Sequence, residues 1–116
     1  MTDCLFCKMV AGVIKPDTVY EDQDILAFKD IHPRAPLHVL VVPKIHIPTL
    51  NDLKPEHAEL VGKLFLAAHA IAKQHGYAEM GYRTVLNCNA DAGQSIFHIH
   101  LHVLGGRAMG WPPFPN

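Results

Sequence analysis

Three of the nine histidines alternate near the end of the chain: His98, His100 and His102, separated by Ile99 and Leu101. An extended strand repeats every second residue, so the three imidazoles share one face and Ile99, Leu101 and Val103 the other. A merely amphipathic strand would carry serine, threonine or lysine there. Neutral imidazole can be a nucleophile, a proton carrier or a metal ligand. Two chemistries therefore compete: one ion shared by alternate strand positions, or phosphoryl or nucleotidyl transfer in which one ring attacks phosphorus. An idle polar face is the weakest reading, because burying several titratable rings without use is costly.

The loop upstream favours phosphorus. Asn87, Gly93, Gln94 and Ser95 precede His98. Amides and a hydroxyl can donate to phosphate or leaving-group oxygens, and Gly93 permits close backbone approach. None of the four is a preferred ligand of a first-row metal. A second cluster opens the chain. Cys4 and Cys7 have zinc-knuckle spacing, but a structural site needs two more ligands, for which His46 and His98 are candidates. A redox dithiol, or two buried thiols on one helical face, are the other readings of the pair.

The elements that must hold these residues follow from pattern. Residues 5–13 suit a short helix, stopped by Pro16. Residues 19–21 and 25–29 read as strands joined by a turn at Asp22-Gln23-Asp24, and 38–42 as a third strand ended by Pro43. A long helix is predicted over 55–75, with Pro55 in its first turn and Asn51 or Asp52 as caps. Leu60, Val61, Leu64, Phe65, Ala68, Ile71 and Ala72 form its apolar stripe, and Gly76 ends it. Residues 83–87 and 98–104 are two further strands, and the tail from Gly105 to Asn116 is irregular. The expected fold class is α+β: a five-stranded antiparallel sheet covered by the long helix, in one domain over 1–116. His32, His57, His69 and His75 read as solvated or core histidines.

Composition bounds the function. With 49% hydrophobic and 18% charged residues the chain is globular, and a net charge of −1 argues against a grip on nucleic acid through net charge. No segment is long and apolar enough for a membrane span. No secretory signal pattern opens the chain, and an odd count of three cysteines fits a reducing compartment, so a cytoplasmic location is expected.

The stretch from Gly93 to Leu104, Gly-Gln-Ser-Ile-Phe-His-Ile-His-Leu-His-Val-Leu, resembles the signature of the histidine triad (HIT) nucleotide-binding family. Gly105-Gly106-Arg107 followed by Trp111-Pro112-Pro113 is similar to its HINT branch, the purine nucleoside phosphoramidases. Likeness continues through Phe28-Lys29-Asp30-Ile31, residues 36–43 and Gly81-Tyr82-Arg83. The resemblance implies a homodimer whose subunits join into a ten-stranded sheet. It implies hydrolysis of nucleoside 5′-monophosphate derivatives, notably adenosine phosphoramidates, at the α-phosphorus through a nucleotidyl-histidine intermediate, with no organic cofactor. His100 matches the nucleophile. His102 and Ser95 would assist the leaving group, and His98 would support His100. Asn87, Gly93 and backbone amides near Gln94 would hold phosphoryl oxygens, with His38 facing them. Asp30 would accept from ribose hydroxyls, Phe6, Phe28 and Ile31 would enclose the base, and Trp111 would belong to the dimer surface or the partner's site. In many bacterial members Cys4, Cys7, His46 and His98 would complete a tetrahedral structural zinc site. Competing functions are a nucleotide-binding regulatory module with little turnover, a metal-dependent enzyme using all three strand histidines, and dinucleoside polyphosphate hydrolysis or nucleotidyl transfer.

Overall fold

The computed structural model describes residues 3–114. Pro115 and Asn116, part of the tail expected to be irregular, lie outside the described residues. The elements run α1 (Leu5–Val10), β1 (Thr18–Glu21), β2 (Ile25–Lys29), β3 (Leu37–Pro43), α2 (Ala58–Gln74), β4 (Tyr82–Val85) and β5 (Leu101–Gly105). The strands form one antiparallel sheet in the order β1-β2-β3-β5-β4. Among the described residues no helix is long and apolar enough to cross a membrane.

Alternation divides the sheet into two faces. Ile25, Ala27, Val39, Val41, Ile99, Leu101 and Val103 pack with Leu64, Ala68 and Ile71 of α2. Leu26, Phe28, Leu40 and Val42 point the other way and pack with Phe6 of α1. β3 is buried along its whole length because both faces are covered, which is why it reads as a continuous apolar run apart from His38.

Boundaries differ from the sequence expectation for physical reasons. α1 stops at Val10, before Gly12 at φ 82°. The region before α2 is stepwise: Thr49 caps a 3₁₀ turn over Leu50–Asp52, a second covers Pro55–His57, and the α-helix begins at Ala58. Asn51 and Asp52 thus belong to their own turn and do not cap α2. Ala67 joins the buried stripe of α2, whereas Phe65 is 46% exposed. Gly76 ends the helix at φ 84°, as its freedom from a Cβ permits. β4 ends at Val85.

The correction that matters most concerns β5. Its ladder starts at Leu101, three residues after His98. Val41 pairs with Leu101, and two residues further along β3 the register brings Pro43 opposite Ile99, where it has no N–H to give. Residues 98–100 keep the alternation, with Ile99 on the α2 face, but lie outside the ladder.

Candidate active site

Register brings the polar side chains of one face together. On the α1 side, Phe28 lies opposite Leu40, Leu40 opposite His102, and His102 opposite Val85. His38 pairs with Leu104, so His38 and His102 are diagonal neighbours across β3 and β5, within reach of each other. Their rings meet: His38 Nε2 is 2.9 Å from His102 Nδ1. Asp30 follows β2 on the same face, with Oδ2 3.4 Å from His38 Nε2.

Hydrogen-bond partners assign the ring protons. His100 Nδ1 is 2.9 Å from the His98 carbonyl. A carbonyl only accepts, so Nδ1 carries the proton and Nε2 of the neutral ring keeps a lone pair. The Arg34 backbone N–H donates to His38 Nδ1 at 3.0 Å, so the His38 proton is on Nε2 and is shared with His102 Nδ1. The His102 proton then resides on its own Nε2. A backbone amide at residue 34 therefore sets two tautomers in succession.

The site favours neutral rings. Burial pushes His100 below its ordinary value of 6.5, against the opposing pull of the His98 carbonyl and the Asp30 carboxylate. His102 is pushed down to about 4, by burial first and then by the charges that His100 and His38 would carry. His38 is lowered mainly by burial, against Asp30.

His98 belongs to a different centre. Its ring is completely buried, and Nε2–H donates to the Pro43 carbonyl at 2.8 Å. Nδ1 faces Cys4 Sγ at 3.3 Å, Cys7 Sγ at 3.5 Å and His46 Nδ1 at 3.2 Å, and Cys7 Sγ is 3.4 Å from His46 Nδ1. Ligand atoms around a tetrahedral zinc, with bonds near 2.0 Å to nitrogen and 2.3 Å to sulfur, lie roughly 3.3–3.8 Å apart. The four donor atoms, all within 4.8 Å of one another, fit that geometry and the soft donor set zinc prefers. Burial, and then the adjacent Cys4 thiol, raise the Cys7 thiol to about 11, a resistance to ionisation that a bound dication would reverse. The Cys7 backbone N–H also donates to Cys4 Sγ at 3.4 Å, tying the pair into the start of α1.

The three strand histidines are thus sent to three partners, and they do not converge on one ion. Nor has His98 a ring nitrogen left for substrate, which removes it from direct catalysis. Gln94 is likewise occupied: its amide donates to the Pro48 and Ile96 carbonyls and accepts from Asn89 N–H, and its own N–H goes to the Asn89 carbonyl. The Gly93 N–H goes to the Ala90 carbonyl. Both residues brace the loop. Asn87 lines a groove of about 810 Å³ with Arg83, Val85 and Leu104, on the face that carries His102. Ser95 is exposed, beside Cys4 and His46 on the rim of a separate cavity.

Of the residues expected around the base, Phe6 and Phe28 are almost fully buried, Phe6 edge-on to His98 and His100 with centroids 5.7 and 5.1 Å away. Ile31 is 87% exposed. Asp30 Oδ1 accepts from His32 N–H at 2.8 Å, so the carboxylate also caps its own loop. Trp111 is exposed and lies against Arg83, whose guanidinium is 6.0 Å from the ring and donates to the Gly110 carbonyl. Arg34 N–H and the Pro43 carbonyl are the parts that sequence reasoning missed, since a main-chain group leaves no trace in residue type.

Comparison with known proteins agrees with this geometry. The family model described as scavenger mRNA decapping enzyme C-term binding matches residues 3–110. Purine nucleoside phosphoramidase of Escherichia coli K12 is 45% identical over 108 residues, covering 93% of this chain and 91% of that protein. The 14 kDa zinc-binding protein of Zea mays is 44% identical, covering 94% of this chain and 86% of its own. The crystal structure of a HIT family hydrolase from Legionella pneumophila superposes with a TM-score of 0.95 at 50% identity, covering 97% of this chain and all of that one.

Proposed function

Since the chain belongs to the histidine triad family of hydrolases, we propose that it hydrolyses nucleoside 5′-monophosphate derivatives of the adenosine phosphoramidate class, with His100 as nucleophile. The observation that carries this reading is the His100 Nδ1–H bond to the His98 carbonyl, which leaves an unprotonated Nε2. Nε2 attacks the α-phosphorus, and a P–N(His) bond forms as the bond to the leaving amine breaks. The departing amine takes its proton from solvent while His102 Nε2–H, the nitrogen left protonated by His38, hydrogen-bonds to it. Water then attacks phosphorus and breaks the P–N(His) bond. The proton that water gives up returns to solvent, and the nucleoside monophosphate leaves.

Asn87 would hold a phosphoryl oxygen against developing charge. Asp30, half-buried beside His38, would accept from the ribose, and Ser95 would contact the leaving group. Zinc at Cys4, Cys7, His46 and His98 would be structural, pinning α1 and the segment after β3 to the approach to β5. The open edge of β4 and the exposed Phe65 and Leu66 on α2 support pairing of two copies. The similarity to the phosphoramidase of Escherichia coli supports the substrate class. Replacing His100 with alanine should abolish release of AMP from an adenosine phosphoramidate and leave AMP binding intact. Full activity in that variant would overturn the assignment.

A further inference from the structure

The arginines of the chain are Arg34, Arg83 and Arg107, and all of them line the groove of about 810 Å³ that also holds Asn87. No lysine lines it, and its one carboxylate, Asp91, is ion-paired with none of the three. Arg83 and Arg107 instead donate to main-chain carbonyls, those of Gly110 at 2.8 Å and Arg34 at 3.3 Å. A carbonyl braces a guanidinium without cancelling its charge. Register sets the groove on the reacting face of the sheet. Leu104 lies opposite both His38 and Arg83, and Val85 lies opposite His102. Arg83 is two residues from Val85, about 7 Å along β4, on the side away from Asn87. His38 is held below its ordinary value by burial first, against Asp30, and then by the Arg34 charge, so that guanidinium also lies near the reacting histidines.

We infer that this groove is a subsite for a carboxylate carried by the leaving amine, so that the preferred substrates are nucleoside phosphoramidates of amino acids. The inference deepens the phosphoramidase reading and rests on it. The planar fork of a guanidinium matches a carboxylate with two parallel hydrogen bonds, which an ammonium cannot do. Three unneutralised charges of one sign along a groove also raise the local concentration of an anion. The α-phosphate is not the group they serve. Phosphorus must sit at His100 and His102, with Asn87 beside it, and Arg83 is displaced from the His102–Val85 row by about one strand repeat. An anion held there belongs to the part of the substrate beyond the breaking P–N bond. Val85 and Leu104 between the two positions give an apolar floor for the methylenes that join nitrogen to carboxylate. The contact is made by a non-reacting part of the substrate, so it strengthens binding as well as kcat/KM.

The test uses three adenosine 5′-phosphoramidates of matched length, made from β-alanine, from β-alanine amide and from 1,3-diaminopropane. They place a carboxylate, a neutral amide and an ammonium at the same distance from phosphorus. Release of AMP by the full chain should favour the carboxylate over the amide about tenfold in kcat/KM, with the ammonium compound slowest. Arg83→Gln, which keeps an amide able to donate to the Gly110 carbonyl, should lower the carboxylate-to-amide ratio about fivefold. Arg107→Gln is the second variant and carries the comparison if Arg83→Gln does not fold. Calorimetry on His100→Ala reads the same preference as affinity, without turnover. Equal handling of carboxylate and amide in both measurements would overturn the inference, as would a preference that both arginine variants leave unchanged. Equal handling together with a fall in light-scattering mass in Arg83→Gln would overturn it too, and would assign the arginines to contacts between copies. If the wild type releases AMP from none of the three while His100→Ala still binds the carboxylate compound more tightly, the subsite stands and the phosphoramidase reading fails.

Discussion

Acid should destabilise the protein through His102 in a calculable way. Burial, followed by the neighbouring His100 and His38, takes this ring from 6.5 down to about 4. In the unfolded chain the same side chain binds its proton near 6.5. Between the two values the unfolded state holds more protons, so stability falls as pH drops. The contribution is complete above the unfolded value and is lost as pH falls through the folded one. At 1.36 kcal/mol per unit the shift corresponds to about 3 kcal/mol at most, and solvent screening of a half-buried ring brings the expectation to about 2 kcal/mol. The assay is urea unfolding of the zinc-loaded wild type and His102→Gln at about pH 7.5 and about pH 4.5, with slopes compared to check two-state behaviour. His38, His98 and His100 are present in both proteins. The wild type should lose about 2 kcal/mol more than the variant between the two conditions. Equal losses, or a larger loss in the variant, would refute the reasoning.

The acid limb of the kcat profile should lie below 6.5, because burial keeps His100 neutral further into acid than a free histidine; a limb at or above that value contradicts the buried-nucleophile reading. Gln94→Ala should lower stability by about 2–3 kcal/mol, since it leaves the Pro48 and Ile96 carbonyls and the Asn89 N–H without their partner, measurable by denaturant unfolding. Leu64→Ala, at a fully buried position under the sheet, should lose about 3 kcal/mol by the same measurement. Phe65→Asp, on the exposed side of α2, should leave the fold intact and shift a dimer toward monomer in light scattering.

The alternation of His98, His100 and His102 was legible because a strand's two-residue period needs no tertiary information. So was the sorting of Ile99, Leu101 and Val103 onto the opposite face. The division of labour among the three rings was not. It depends on β5 lying beside β3, which sets His102 diagonal to His38, and on the ladder starting only at Leu101, so that His98 lies outside it. Phe65 fits helical spacing as well as Ala67 does, yet Ala67 is the one that faces the sheet. The metal-ligating cluster could be guessed from cysteine spacing, but its link to the nucleophile runs through a carbonyl, and every residue has one.

The most direct test of the central claim is intact mass after rapid quenching with an adenosine phosphoramidate. An unprotonated His100 Nε2 attacking phosphorus predicts a transient species heavier by one nucleotidyl group, mapped to His100 and absent from His100→Ala. Turnover with no such species under conditions that slow the second step, or an adduct on another residue, would contradict it.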